Sequence, residues 1–148
     1  MDLALTPRTD AKTNVPWHLW VVAGLTLSWH VWAGLRFLAA TTDLFGRAFP
    51  VSSELALFSS FPPLVIGFWA IGVWGGLLGS LFLVARSRWA VQAFVMALVS
   101  LMGVSIWLFA LSDHAANIYA MPVALTTWFV TLTTLLYSTR WVGEDTLS

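Results

Sequence analysis

Cysteine is absent from the 148 residues, which removes disulfides, thiolate metal sites, iron–sulfur clusters, covalent haem attachment and thiol nucleophiles together. Charge is scarce as well: Asp, Glu, Lys and Arg make up 9% of the chain, against about 25% in soluble domains. Seven basic residues balance seven acidic ones, so there is no basic surplus to attract nucleic acid and no acidic tail. Nucleic-acid partners are not expected. Gly-x-Ser-x-Gly, Walker, His-Glu-x-x-His and Gly-x-Gly-x-x-Gly patterns do not occur, and they carry hydrolase, nucleotide and zinc-peptidase chemistry. With no acid inside an uncharged run, a paired-carboxylate site or a carboxylate-driven proton pump lacks its groups. The expectation is a protein that is not an enzyme.

In place of charge the chain has 59% hydrophobic residues and a mean hydropathy of +0.82, which places it in a bilayer. Asp, Glu, Lys and Arg are missing from residues 13–35, 55–85, 89–112 and 114–139. Each gap holds the roughly 20 apolar residues that a helix needs to cross a hydrocarbon core. Helices are predicted at about 19–40, 63–85, 90–111 and 121–137. Lipid offers the backbone no hydrogen-bond partners, and the runs alternate too little for a barrel. The predicted fold is all-α, an integral membrane four-helix bundle. One transmembrane domain over 17–141 lies between a disordered tail, 1–16, and a short tail, 142–148. The first apolar run is longer than the ~7–15 residues of a signal-peptide core and follows a polar tail, so a retained signal anchor is expected.

Positive charge stays on the cytoplasmic side of short connections. Arg8 and Lys12 precede the first helix, Arg86 and Arg88 join the second and third, and Arg140 follows the fourth. All five fall on one side of an even-numbered bundle, so both termini are expected in the cytoplasm. Trp17, Trp89 and Trp141 mark that interface, and Trp69, Trp107 and Trp128 the opposite one. Pro50 to Phe61 in the connection after helix 1 reads as a short interfacial helix, and Pro62-Pro63 starts helix 2 where a missing N–H costs nothing. Pro63…Trp69…Arg88-Trp89 and Pro122…Trp128…Arg140-Trp141 also suggest a faint parallel duplication.

Helix 2 carries the most specific packing pattern. Gly72, Gly75, Gly76, Gly79 and Ser80 share one face, and small residues at this spacing let membrane helices approach closely. Gly24 and Ser28 offer a matching groove on helix 1. Thr127, Thr131 and Thr134 form a hydroxyl stripe on helix 4 whose groups can bond their own backbone or a neighbour. Packing within one bundle is the first reading of these features; a homo-oligomer seam and a narrow polar passage are the others. His30 is the one ionisable group near the middle of a span. It is expected to be neutral and bonded to a Ser or Thr of a neighbouring helix, with a proton relay or ligation of haem or another tetrapyrrole as alternatives. No second axial histidine lies at its depth, so no cofactor is expected. Arg36 is expected to snorkel outward and pair with Asp43 or Glu54.

The segments 16–22 (Pro-Trp-His-Leu-Trp-Val-Val), Phe61-Pro62, 68–80 (Phe-Trp-Ala-Ile-Gly-Val-Trp-Gly-Gly-Leu-Leu-Gly-Ser) and 86–91 (Arg-Ser-Arg-Trp-Ala-Val) resemble a family of small four-span bacterial inner-membrane proteins. Its members carry the label hypothetical protein or sugar transporter. The resemblance spans roughly residues 16–112 and implies four spans in a bacterial inner membrane. The family has Trp-Asn in helix 1 and an acidic residue shortly after, where this chain has Trp29-His30 and Leu35-Arg36-Phe37. From the residues themselves the first functional expectation is a non-catalytic packing or accessory component, or an oligomer. The second is a small-solute or sugar passage, and the third is tetrapyrrole or quinone binding through His30.

Overall fold

The computed structural model describes residues 17–42, 61–111 and 120–143. The interfacial helix expected before Phe61, both terminal tails, Asp43 and Glu54 lie outside the described residues. Four helices long and apolar enough to cross a membrane account for nearly all of the rest. They are α1 (Trp17–Thr41), α2 (Pro63–Val84), α3 (Trp89–Ile106, continued by a π-helical turn Trp107–Leu111) and α4 (Ala120–Gly143). The arrangement is an all-α four-helix bundle. Helix α4 runs six residues past the expected end at Tyr137, so Val142 and Gly143 are helical rather than tail. The last turn of the third span is π rather than α, a widened form found mostly as single turns within helices.

Helix α2 is the hub. It packs most extensively on α3 and then on α1, while α4 packs on α3 and touches α1 little. The glycine face explains the close α2–α3 contact. A Cβ placed on Gly72 would lie 3.5 Å from Ser100 Cβ, and one on Gly75 3.4 Å from the Ala93 carbonyl. Glycine there lets backbones meet where lipid supplies no hydrophobic drive between helices. Gly79 faces the ring of Phe94, which is fully buried with Ala23, Leu83 and Ala90.

The groove expected at Gly24 and Ser28 is not used within this chain. Both are exposed, nothing stands within 4 Å of a Cβ on Gly24, and Ser28 bonds back to the Gly24 carbonyl at 2.9 Å. Helix α1 instead buries Leu19, Ala23, Thr26, His30, Gly34 and Phe37, a stripe at i, i+4, i+7, i+11, i+15 and i+18 that leaves Gly24 about 100° away. Gly24→Ala is therefore expected to hold or raise stability in detergent, by up to about 1 kcal/mol from helix propensity alone.

The α2–α3 connection closes as a Schellman turn. Ser87 N–H donates to Phe82 O at 2.8 Å, Arg86 N–H donates to Leu83 O at 3.1 Å, and Arg86 sits at φ 57°. The left-handed position favours glycine, and a side chain there costs roughly 1–2 kcal/mol. Arg86→Gly should stabilise the isolated turn by about that amount, read as a raised midpoint of SDS-induced unfolding; a lowered midpoint would mean that the guanidinium contributes more than the backbone strain costs.

The indole girdle differs between the two ends. Trp17 and Trp89, at the basic end, are exposed as interfacial anchors are, whereas Trp141, expected beside them, is half-buried against His18 and Tyr137. At the other end Trp69, Trp107 and Trp128 are half-buried and turn into the bundle. Trp69 meets Phe37 edge-on at 4.9 Å between centroids, Trp107 meets Phe61 at 4.8 Å, and the Trp128 indole N–H donates to Ser105 Oγ at 3.0 Å. Burying these rings together satisfies Phe61, Val65 and Leu108, which form a second small core.

Candidate functional site

Two polar features lie inside the bundle, and α1 contributes to both. The first is built around His30, which is 2% exposed. Its Nδ1 lies 2.8 Å from the Thr26 carbonyl and 3.1 Å from Ser80 Oγ. A carbonyl can only accept, so Nδ1 carries the proton; the Ser80 hydroxyl donates to the Gly76 carbonyl at 2.8 Å and accepts from the ring. The neutral imidazole thus ties α1 to α2, and the neighbouring hydroxyl expected for it is Ser80. Nε2 and Cδ2 rest on Gly76, where a Cβ would overlap them. Phe94 of α3 closes the far side, its ring 6.1 Å from the imidazole. Four residues separate Thr26 from His30 and Gly76 from Ser80, so each helix presents its polar pair on a single face.

The second feature is a recess of about 110 Å³ between all four helices, in the half of the bundle away from the termini. Indoles of Trp29, Trp32, Trp69 and Trp128 line it, with His30 at its inner limit and Arg36 among its lining residues. Arg36 is half-buried and has an interaction partner. Thr127 and Thr131 supply hydroxyls from α4. Their behaviour differs: Thr126, Thr127, Thr133 and Thr134 all donate to the carbonyl four residues back, at 2.6–2.8 Å. The hydroxyl of Thr131, a residue 1% exposed, has no hydrogen-bond partner among the described residues. The buried Trp29 indole N–H likewise has none among them, as do the Tyr137 hydroxyl and the Trp141 indole N–H nearer the other end.

Thr134, the third member of the predicted stripe, lies apart from the recess. Its hydroxyl is 3.3 Å from Thr26 Oγ1, a buried contact joining α4 to α1. Beside that contact the α1–α4 side is an open groove lined by Val22, Leu25, Trp29, Val130, Thr133 and Tyr137. Gly72 borders the recess, whereas Gly75, Gly76, Gly79 and Ser80 continue toward the other end, and Arg86, Arg88 and Arg140 are exposed there, remote from both features. Among the described residues no three His, Asp or Glu side chains converge as a metal site would require. Thr26 and Trp32 were not singled out from sequence, and Trp69 and Trp128 were expected only as interfacial anchors. The legible signal for Thr26 is its place one helical turn before His30; for the indoles it is the crowding of Trp at the end opposite the basic loop.

No family model, curated protein or solved structure matches the chain.

Proposed function

We propose that this chain is a non-catalytic, multi-pass protein of a bacterial inner membrane, with both ends cytoplasmic, that serves as a packing or accessory component of a larger membrane assembly or of its own oligomer. The observation that carries this reading is the α1–α4 side of the bundle. Helix α4 is fastened along α3 but meets α1 in few places, at the Thr26–Thr134 contact and where the His18 ring packs on Tyr137 and Trp141, leaving between them a groove that a further helix can enter. The basic connection and tails on one side support the orientation. His30, the group with most chemical potential, has its proton engaged in joining α1 to α2 and its other nitrogen packed on glycine.

The sugar-passage reading draws on the family resemblance and on the buried hydroxyls of α4. It gains little from their placement, since Thr127 and Thr134 donate to their own backbone and Thr134 also meets Thr26. A sugar site pairs several converging polar groups with its apolar wall. Ligation of a tetrapyrrole by His30 is no better served. Nε2 faces Gly76, and the 110 Å³ recess is below the ~300 Å³ at which pockets for larger ligands begin.

A photoreactive side chain at Leu25 or Thr133, on the α1–α4 groove, should crosslink in native membranes to a single protein of discrete mass, this chain or another. Lipid adducts alone from both positions contradict the proposal. Liposomes holding only the purified protein should take up sugars no faster than protein-free vesicles; uptake lost on Thr131→Val would establish the passage reading in its place.

A further inference from the structure

We propose that the indole-walled recess is a binding site for a single six-membered ring bearing a hydrogen-bond-accepting oxygen, of the quinone class, held by the Thr131 hydroxyl and the Trp29 indole N–H. This goes beyond the assembly role, which concerns the neighbouring α1–α4 groove, bordered by the same Trp29, and needs no ligand.

Three observations converge. The first is size and lining: about 110 Å³, walled largely by aromatic and aliphatic groups. An apolar cavity of roughly 150 Å³ admits benzene; this one is smaller and partly open, so it takes no more than a single ring, part of which lies in its mouth, and excludes a fused or branched solute. Flat indoles on several sides suit a flat guest, because offset and edge contacts between rings add to simple burial. The second is Thr131. Its neighbours on α4 hand their hydroxyl protons to the backbone, which is the easy solution for a threonine in a membrane helix. Thr131 does not, although it is 1% exposed and lines the recess. An unpaired hydroxyl in such surroundings is unfavourable by about 1–3 kcal/mol. A ligand atom in the recess relieves this.

The third is the kind of partner required. The Trp29 N–H, also buried and unpaired, can donate but never accept. A guest satisfying both groups must present an acceptor, as a ring carbonyl does and a simple hydrocarbon does not. His30 bounds the inner limit of the recess, with its proton committed to Thr26 and Ser80. The ring approaches from the Trp69 and Trp128 end, and any substituent chain trails outward.

Dimethylbenzoquinone is the first probe, since quinones quench indole fluorescence and the absence of cysteine prevents thiol adducts. Titrated into the full-length protein in mild detergent, it should quench saturably at one site. Thr131→Val should weaken that affinity about five- to tenfold, the loss of one hydrogen bond, while Thr131→Ser retains it. Trp29→Phe should weaken it similarly and serves as the second test if Thr131→Val does not fold. Ala124→Phe, which fills the recess, should leave only linear, collisional quenching. A decyl-chained benzoquinone in lipid nanodiscs distinguishes the source. Thr131-dependent binding of both probes identifies a membrane quinone, and binding of the tail-less ring alone identifies a free aromatic. Linear quenching by the native protein, or affinity unchanged in both Thr131→Val and Trp29→Phe, overturns the proposal.

Discussion

Gly76→Leu is expected to break the α1–α2 contact and abolish the folded bundle in mild detergent, and Gly76→Ala to destabilise it by about 3 kcal/mol. The smaller substitution is the more informative. A Cβ at this position overlaps Cδ2 and Nε2 of His30, and the ring has little freedom to yield. It is held on one side by the Thr26 carbonyl and Ser80 and closed on another by Phe94. Overpacking of a core costs about 1–3 kcal/mol, and displacing the imidazole also forfeits its hydrogen bonds, each worth about 1 kcal/mol net. The ~1 kcal/mol of helix propensity gained by replacing glycine offsets only part. The check is an SDS titration of the double-mutant cycle Gly76→Ala, His30→Ala and both. Because the clash requires both side chains, the double variant should be more stable than the sum of the singles by about 2 kcal/mol. Additivity within error would show that His30 does not press on Gly76.

Phe94→Ala should be the next most damaging change, at about 2–3 kcal/mol. Phe94 is fully buried at the α1–α2–α3 junction, with Ala23, Leu83 and Ala90 around it, and Gly79 facing its ring atoms. In aqueous proteins a buried Phe→Ala costs about 3–5 kcal/mol, part of it transfer from water and part a cavity penalty near 24 cal/mol per Å³. A membrane helix that separates exposes Phe94 to lipid rather than to water, so the transfer part largely vanishes and the lost packing remains. Loss above about 4 kcal/mol in an SDS titration would show that water enters the separated state.

Much of the architecture was legible because its cause is local. Missing charges define spans wherever lipid is the solvent, and the count of four with starts near Pro63 and Trp89 follows from that alone. The glycine face of α2 was legible because Gly72, Gly75, Gly76 and Gly79 recur at helical spacing, and small residues have few other uses in a membrane helix. The inward stripe of α1 was not. Gly24 and Ser28 look as suitable for packing as Ala23 and Gly34, and a helix apolar on all sides carries no periodic signal to choose between them. His30 could be assigned a hydroxyl partner from its depth, but that Ser80 supplies it depends on the register of α1 against α2. The recess was invisible for the same reason. Thr131 and Trp29 are separated by about 100 residues, and nothing near either one announces that its hydrogen-bonding group goes unused.

The absence of cysteine makes the arrangement across the membrane directly measurable. Single cysteines at Ser87, between α2 and α3, and at Ser148 should react with an impermeant maleimide only when it is given access to the cytoplasmic face. A cysteine at Thr42, beyond α1, should react only from the opposite face, and one at Ala97, buried within α3, from neither. Labelling of positions 87 and 148 from opposite faces, or of position 97 from either, would contradict the four-span bundle with both ends in the cytoplasm.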